Sequence, residues 1–342
     1  MVETTGRDIE RITIIGNGAM ATACALLLDR VDRRVTMWGP FPEAMEDMAR
    51  SRENKPYLPG LPLPDSLGLT SEVEEAASGP DLVVAAIPTQ YMRPTCQRFA
   101  DRLAEGTPIV SVAKGIENET LLPPTGIIGE VLGGGRHPLA ALSGPSIASE
   151  LARGLPATVC ISSADRALAD ALQQVFASDT LRVYTNGDLL GVELAGATKN
   201  VIALAAGILD GLHAGYNAKS ALLSRGLAEI ARLGQAMGAN PETFFGITGV
   251  GDLATTCFCP EGRNRSAGEL LGRGFKLDDV LERVQGVVEG VPTTRSVMTL
   301  AERHGVEMPI TASVHAVLFE RMDPIDGISR LMRREPKAER VG

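Results

Sequence analysis

Aromatic residues are scarce, with 8 Phe, 4 Tyr and 1 Trp making up 4% of 342 residues. Basic residues are in deficit too: Lys plus Arg is 33 against 42 for Asp plus Glu, a formal net charge of −9. A nucleic-acid surface needs a basic stripe to neutralise phosphates and rings on which bases stack, and the sequence offers neither. An anionic small ligand must then be met by a locally positive pocket inside an acidic chain. Long apolar runs are also missing. None approaches the roughly 18 consecutive residues of a membrane-crossing helix, and the stretch from Val201 to Leu209 soon meets Asp210. Glu3, Asp8 and Glu10 precede the first apolar run, the wrong start for a secretory signal. The expectation is a cytoplasmic protein without a membrane span.

Cysteine is limited to Cys24, Cys96, Cys160, Cys257 and Cys259, an odd number set mostly in apolar contexts, as reduced thiols are. Cys257-x-Cys259 has no second Cys or His pair nearby, the histidines being His137, His213, His304 and His315. No metal site is expected. What remains is an ordinary globular composition, 44% hydrophobic and 22% charged. At roughly 150 residues per domain the chain is long enough for two cores.

The first half alternates short β-branched runs with helical patterns. Arg11–Ile15, Arg34–Trp38 and Leu82–Ile87 read as strands, followed by Pro108–Val112, Pro138–Leu142, Pro156–Ser162 and Leu181–Tyr184. Near-continuous apolar runs fit a parallel sheet covered on both faces. After about Asn186 strand-like runs vanish and long 3.6-period segments take over, from Leu190 through Leu209 and from Ala218 through Met237.

Directly after the first strand, Gly16-Asn17-Gly18-Ala19-Met20-Ala21 opens a helical run ending near Leu28. This is G-x-G-x-x-A in the strand-turn-helix context of a dinucleotide site. The first glycine permits a tight turn, the second lets a pyrophosphate approach the backbone, and the small third residue lets helix and strand pack. The helix start adds free N–H groups and partial positive charge. The fold expectation is therefore α/β: an N-terminal Rossmann-like doubly wound sheet over residues 1–187, an all-α substrate domain over 188–332 and a charged tail over 333–342. An acid after the second strand would mark NAD and an arginine NADP. Trp38-Gly39-Pro40-Phe41 has neither, the nearest acid is Glu43, and Arg33 and Arg34 before the strand read as solvated. Preference between NAD and NADP stays open, the missing cation favouring NAD.

Three further clusters differ from core and linker. Lys114, in Ala113-Lys114-Gly115-Ile116-Glu117, closes a buried strand, where open α/β sheets bind ligands. Gly144-Pro145-Ser146 is a tight turn before another helix. Lys199-Asn200 lies in a small-residue apolar helix, followed by Gly249-Val250-Gly251-Asp252 and Gly262-Arg263-Asn264. Lys199 either snorkels to solvent or points into a pocket at a desolvation cost. In a pocket its pKa falls toward neutrality, helped by a second cation such as Lys114, and it becomes a general base for an alcohol proton. Asp252 reads either as its partner or as a turn aspartate. Arg263 and Asn264 read either as a phosphate fork or as an exposed helix start.

In order and spacing these segments resemble the bacterial-type NAD(P)-dependent sn-glycerol-3-phosphate dehydrogenase family. So do Asn54-Lys55-Pro56-Tyr57-Leu58-Pro59-Gly60, Ala86-Ile87-Pro88-Thr89-Gln90, Asn217-Ala218-Lys219 and Val288-Glu289-Gly290. The resemblance implies reversible reduction of dihydroxyacetone phosphate to glycerol 3-phosphate, supplying glycerophospholipid synthesis, and it is compatible with a homodimer. It implies Lys199 as proton acceptor and substrate contacts at Lys114, Gly144, Ser146, Lys199, Asp252, Arg263 and Asn264. Cofactor contacts would fall at Gly16, Gly18, Ala19, Met20, Ala21, Lys114, Ala148, Arg263, Val287 and Glu289. Met20 and Ala21 replace the family's aromatic residue and glycine, Pro40-Phe41 its His or Arg, and Gly262 its serine before Arg-Asn. Two rivals stand beside this reading: a dehydrogenase acting on a different hydroxy or keto acid, and a catalytically silent nucleotide sensor that keeps the fold.

Overall fold

The computed structural model describes residues 9–29, 33–335 and 338. Chain contacts divide it into two compact units, Met1–Ala113 with Pro124–Leu189, and Lys114–Pro123 with Leu190–Gly342. The expected boundary fell at 187/188 and kept residues 114–123 in the first domain. That segment instead belongs to the second unit, because Ile116 and Leu121 are buried in its core, the Asn200 amide donates to the Lys114 carbonyl and the Ser296 hydroxyl donates to the Ile116 carbonyl.

The first unit holds one eight-stranded sheet: β1 (Arg11–Ile15), β2 (Arg34–Trp38), β3 (Gly68–Thr70), β4 (Leu82–Ala85), β5 (Ile109–Ser111), β6 (Leu139–Ser143), β7 (Ala157–Ser162) and β8 (Leu181–Asn186). Their order is β3-β2-β1-β4-β5-β6-β7-β8. The strand order reverses between β1 and β4, which places a ligand crevice at the carboxyl ends of those strands. β1 from Ile12 onward and all of β4 are buried, as strands covered on both faces must be. β8 alternates buried Leu181 and Val183 with exposed Arg182 and Tyr184, the pattern of a half-covered edge. The helix Ala19–Asp29 is buried along its length from Ala21 to Leu28.

Three features depart from the sequence reading. β3 is a strand of three residues, Gly68-Leu69-Thr70, with no apolar run to announce it. The β6–β7 pair is antiparallel. The only helix between them, Ala148–Arg153, has six residues, about 9 Å of rise, too short to return the chain to the opposite end of the sheet. Arg33 is not a solvated cation, since its guanidinium donates to the Ile9 and Val175 carbonyls. Arg34 is exposed as expected.

The second unit carries no strand among its described residues. Its axis is the helix Leu189–Gly211, buried nearly throughout. By length and a mean hydropathy of 1.4 this helix could cross a membrane, but 94% of that window is buried inside the protein. A long apolar helix enclosed by other helices needs no lipid to cover it. The helix Arg263–Gly272 crosses it backbone to backbone: a Cβ added at Gly207 would lie 1.9 Å from the Arg265 carbonyl oxygen, and one at Gly268 would lie 2.0 Å from that of Leu204. The small residues that make Leu189–Gly211 look closely packed in sequence thus admit a second backbone. Residues 333–335 and 338 are exposed; the rest of the expected charged tail lies outside the described residues.

Candidate active site

In the first unit, the turn after β1 is held by the Gly16 N–H donating to the Trp38 carbonyl at 2.8 Å. Gly16 has a φ of +127°, and a Cβ there would lie 2.4 Å from the Ala86 carbonyl oxygen at the end of β4. Only glycine meets both demands. Gly18 differs, because a Cβ added there would meet nothing within 4 Å. Its missing side chain leaves room at the start of the Ala19–Asp29 helix, where N–H groups and the helix dipole favour an anion. These residues fit a dinucleotide pyrophosphate. Ala19 and Met20 are half-buried and Ala21 is fully buried, so an alanine in the third position is accommodated against the sheet. Past β2, Phe41 is 64% exposed. Gly144 follows β6 with a φ of +126°, the Ser146 hydroxyl donates to its carbonyl, and Ala148 begins the next short helix.

In the second unit a charged cluster is buried. Ile247–Gly251 forms a single π-helical turn and leads straight into the helix Asp252–Phe258. Such turns recur at functional sites because they re-aim a residue, and this one carries Asp252 into the interior at 1% exposure. One carboxylate oxygen of Asp252 accepts from Lys199 Nζ; the other accepts from Lys114 Nζ at 2.7 Å. Lys199 also donates to Thr256 Oγ1 at 2.6 Å, whose hydroxyl donates to the Asp252 carbonyl. Two ammonium groups around one carboxylate give a locally positive site within a chain of net charge −9.

Burial lowers the Lys199 pKa to about 8; Asp252 pulls it back up and Lys114 lowers it further. Burial alone would raise the Asp252 pKa, but the adjacent ammonium groups override it and hold the carboxyl below its ordinary value. Lys199 therefore does not snorkel, and Asp252 is not a solvated turn residue. The lysine is poised to exchange a proton near neutral pH while Asp252 stays ionised.

A chain of amides supports this cluster. The Gly290 N–H donates to Asn264 Oδ1 at 2.8 Å, Asn264 Nδ2 to Asn200 Oδ1 at 2.9 Å, and Asn200 Nδ2 to the Lys114 carbonyl at 3.0 Å. The Asn264 carboxamide is thus engaged at both ends, and what it presents at the start of the Arg263–Gly272 helix is its backbone N–H and its second amide hydrogen. Arg263 is exposed, its guanidinium lying beside Gly286. Val287 and Glu289 are half-buried in the approach to Gly290. The second unit therefore brings together Lys114, Lys199, Asp252 and Asn264, while Gly16, Gly18, Gly144, Ser146 and Ala148 belong to the first. Sequence reasoning singled out the Lys199-Asn200 pair without giving Asn200 a role of its own, and it passed over Thr256. Asn200 adjoins Lys199, and Thr256 stands four residues after Asp252 on one helix face, a spacing that could have flagged it.

The family model for the N-terminus of NAD-dependent glycerol-3-phosphate dehydrogenase matches residues 11–169, and the model for its C-terminus matches residues 188–329. The chain belongs to the NAD-dependent glycerol-3-phosphate dehydrogenase family. Family members cover it almost end to end. A glycerol-3-phosphate dehydrogenase (NAD(P)+) of Salinibacter ruber is 46% identical over 329 residues, 96% of both chains. One from Geobacter sulfurreducens is 46% identical over 332 residues, 97% of this chain and 99% of the relative. The crystal structure of glycerol-3-phosphate dehydrogenase from Coxiella burnetii superposes with a TM-score of 0.92 at 34% identity, covering 96% of this chain and all of that one. A ketopantoate reductase from Ralstonia eutropha shares the fold alone, at 14% identity and a TM-score of 0.59.

Proposed function

We propose that this chain is an NAD(P)-dependent glycerol-3-phosphate dehydrogenase interconverting dihydroxyacetone phosphate and sn-glycerol 3-phosphate, with Lys199 as its proton-transfer group. The observation that carries this reading is the buried Lys114–Asp252–Lys199 cluster, held by the same amide chain that ends at the Arg263–Gly272 helix start. A phosphate set against the N–H groups of that helix, with the Arg263 guanidinium beside it, gains charge-assisted hydrogen bonds. The three-carbon body then extends toward the lysines. In the oxidation direction Lys199 in its neutral form accepts the C2 hydroxyl proton while the C2 hydride leaves, giving the ketone; in reduction the ammonium returns that proton to the C2 oxygen. Asp252 fixes both lysines, and Lys114 donates to the C2 or C1 oxygen. Excess positive charge at the cluster stabilises the developing alkoxide.

The nicotinamide, when bound, supplies or takes up the hydride. Gly16, Gly18, Ala19, Met20 and Ala21 would hold the dinucleotide; Lys114, Ala148, Arg263, Val287 and Glu289 are its further proposed contacts, and Gly144 and Ser146 are proposed contacts of the substrate. The exposed Phe41 where a phosphate-binding cation would stand supports NAD over NADP. Five cysteines without a disulfide fit the cytoplasm. The deciding experiment follows loss of reduced-nicotinamide absorbance with dihydroxyacetone phosphate, run with NADH and NADPH side by side. Rapid oxidation of either is expected, faster with NADH. Folded protein that binds cofactor yet oxidises neither, or that turns over non-phosphorylated ketones equally well, would overturn the reading.

A further inference from the structure

The helical unit contains a second concavity, built from residues that the cluster around Lys199 does not use. A cavity of about 960 Å³ is lined from four helices: Leu189–Gly211, Gly215–Ala236, Pro309–Phe319 and Pro324–Met332. Its wall is aliphatic, with Ile208, Leu209, Leu222, Ile310, Val314 and Ile328 among the lining residues. That volume lies at the upper end of the range of about 300–1,000 Å³ for small-molecule sites, which pair apolar walls with a few placed polar groups.

The charged groups of the wall differ in how they are engaged. Glu229 is 2% exposed; one of its oxygens accepts from the Ile310 N–H at 2.7 Å and the other from the Thr311 N–H and hydroxyl. Its carboxylate is committed to the start of the Pro309–Phe319 helix. Arg232 donates to the Glu307 carbonyl, and Arg334 pairs with the Glu307 carboxylate at 3.0 Å. Arg225 has no hydrogen bond or ion pair among the described residues, although its side chain is half-buried on the cavity wall. A half-buried guanidinium with no protein partner among the described residues, set beside an aliphatic wall, fits an anion attached to a hydrocarbon, and its planar fork matches a carboxylate.

We propose that this cavity binds a single-chain fatty carboxylate, its head on Arg225 and its chain between the Gly215–Ala236 and Pro309–Phe319 helices under the C-terminal helix Pro324–Met332. The site is separate from the Lys199 cluster and does not depend on the reaction assigned to it.

The test is calorimetric titration of the full chain with dodecanoate below its micellar range, with dodecanol as the chain-only control and acetate as the head-only control. Wild type should bind one dodecanoate per chain with micromolar affinity and acetate not at all. Arg225→Gln should weaken dodecanoate at least tenfold and leave dodecanol within twofold. Val317→Trp, which fills the chamber, should abolish binding of both. Neither position belongs to the catalytic cluster, so turnover of dihydroxyacetone phosphate by both variants reports that they are folded. Absence of saturable one-to-one binding, or equal dodecanoate binding by wild type and Arg225→Gln, would overturn the proposal. So would light scattering that shows a stable dimer whose dissociation by Val317→Trp reveals this face to be covered by a second copy.

Discussion

An added methyl group would meet nothing at Gly18 in the sheet unit and would lie 1.9 Å from a carbonyl oxygen at Gly207 in the helical unit. Gly18 leaves a space that the protein does not fill; Gly207 admits another stretch of the same chain. The difference follows from what each unit presents. The sheet unit offers backbone N–H groups at a turn, which a phosphate must reach. The helical unit offers side chains, Lys199 above all, and must place them by packing one helix hard against another. The same residue type is a ligand feature at Gly18 and a packing feature at Gly207.

The largest effect that would sharpen this contrast is at Lys199 itself. Lys199→Met should lower turnover by about 10²–10⁴-fold, the usual worth of a positioned proton-transfer group, while cofactor affinity measured by fluorescence titration stays within twofold. Turnover near the wild-type value would remove Lys199 from the mechanism. Gly207→Ala comes next. With its Cβ driven into the Arg265 carbonyl, the two helices must separate, at about 3 kcal/mol or more of folding stability, and denaturant unfolding should show the loss. Because the Arg263–Gly272 helix carries Asn264, activity should fall with it. Gly18→Ala is the counterpart in the sheet unit. Gly18 does not have a positive φ, so alanine should leave stability unchanged or raise it by about 0.5 kcal/mol, while dinucleotide affinity falls about tenfold, roughly 1.4 kcal/mol. If Gly18→Ala destabilised the fold and spared the affinity, the contrast between the two glycines would be broken.

The pH dependence separates the units in another way, because only the helical one holds a proton-transfer group with a shifted pKa. With the Lys199 pKa at about 8, below its ordinary value, the neutral base accumulates as pH rises through 8. Initial rates of glycerol 3-phosphate oxidation should therefore climb across that pH, and rates of ketone reduction, which need the ammonium, should fall. The same shift bears on stability. Below pH 8 both folded and unfolded chains carry the proton and folding bears the desolvation cost. Between 8 and the unfolded value near 10.4 the folded chain gives up its proton first, so this group's unfavourable contribution shrinks as pH rises. Parallel profiles in the two directions, with the same slope, would contradict the assignment.

How much of this was legible in the sequence depended on the range of the interaction. β1, its glycine turn and β2 were read to the residue, since alternation and turn chemistry are local signals. β3 was missed because three residues with a glycine carry no period. The reversed direction of β7 was missed because a strand's pattern is the same in either direction. Lys199 could be read two ways until tertiary structure placed Asp252 beside it, 53 positions away in sequence. The amide chain from Gly290 through Asn264 and Asn200 to Lys114 was illegible for the same reason. Asn264 looked like a free donor pair beside Arg263, and only its bonds to Asn200 and to the Gly290 N–H show that most of its carboxamide is already engaged.

Gly262 offers the smallest and most discriminating test, for it is a glycine that answers to neither use. It caps the Arg263–Gly272 helix at φ −69° and ψ 114°, a conformation open to any residue, with no side-chain cap. A Cβ there would lie 3.2 Å from the Cys259 carbonyl oxygen and 3.4 Å from that of Thr256, so serine fits after a shift of a few tenths of an ångström. Gly262→Ser restores a hydroxyl at the helix start, where serine exceeds glycine as a cap by only a few tenths of a kcal/mol. If the substrate phosphate rests on that helix start, the hydroxyl adds one neutral hydrogen bond, about 1 kcal/mol, and KM for dihydroxyacetone phosphate should fall about five-fold with kcat unchanged. A KM that does not move, in a variant whose unfolding midpoint shows the cap has formed, would place the phosphate elsewhere and leave Arg263 without its assigned role.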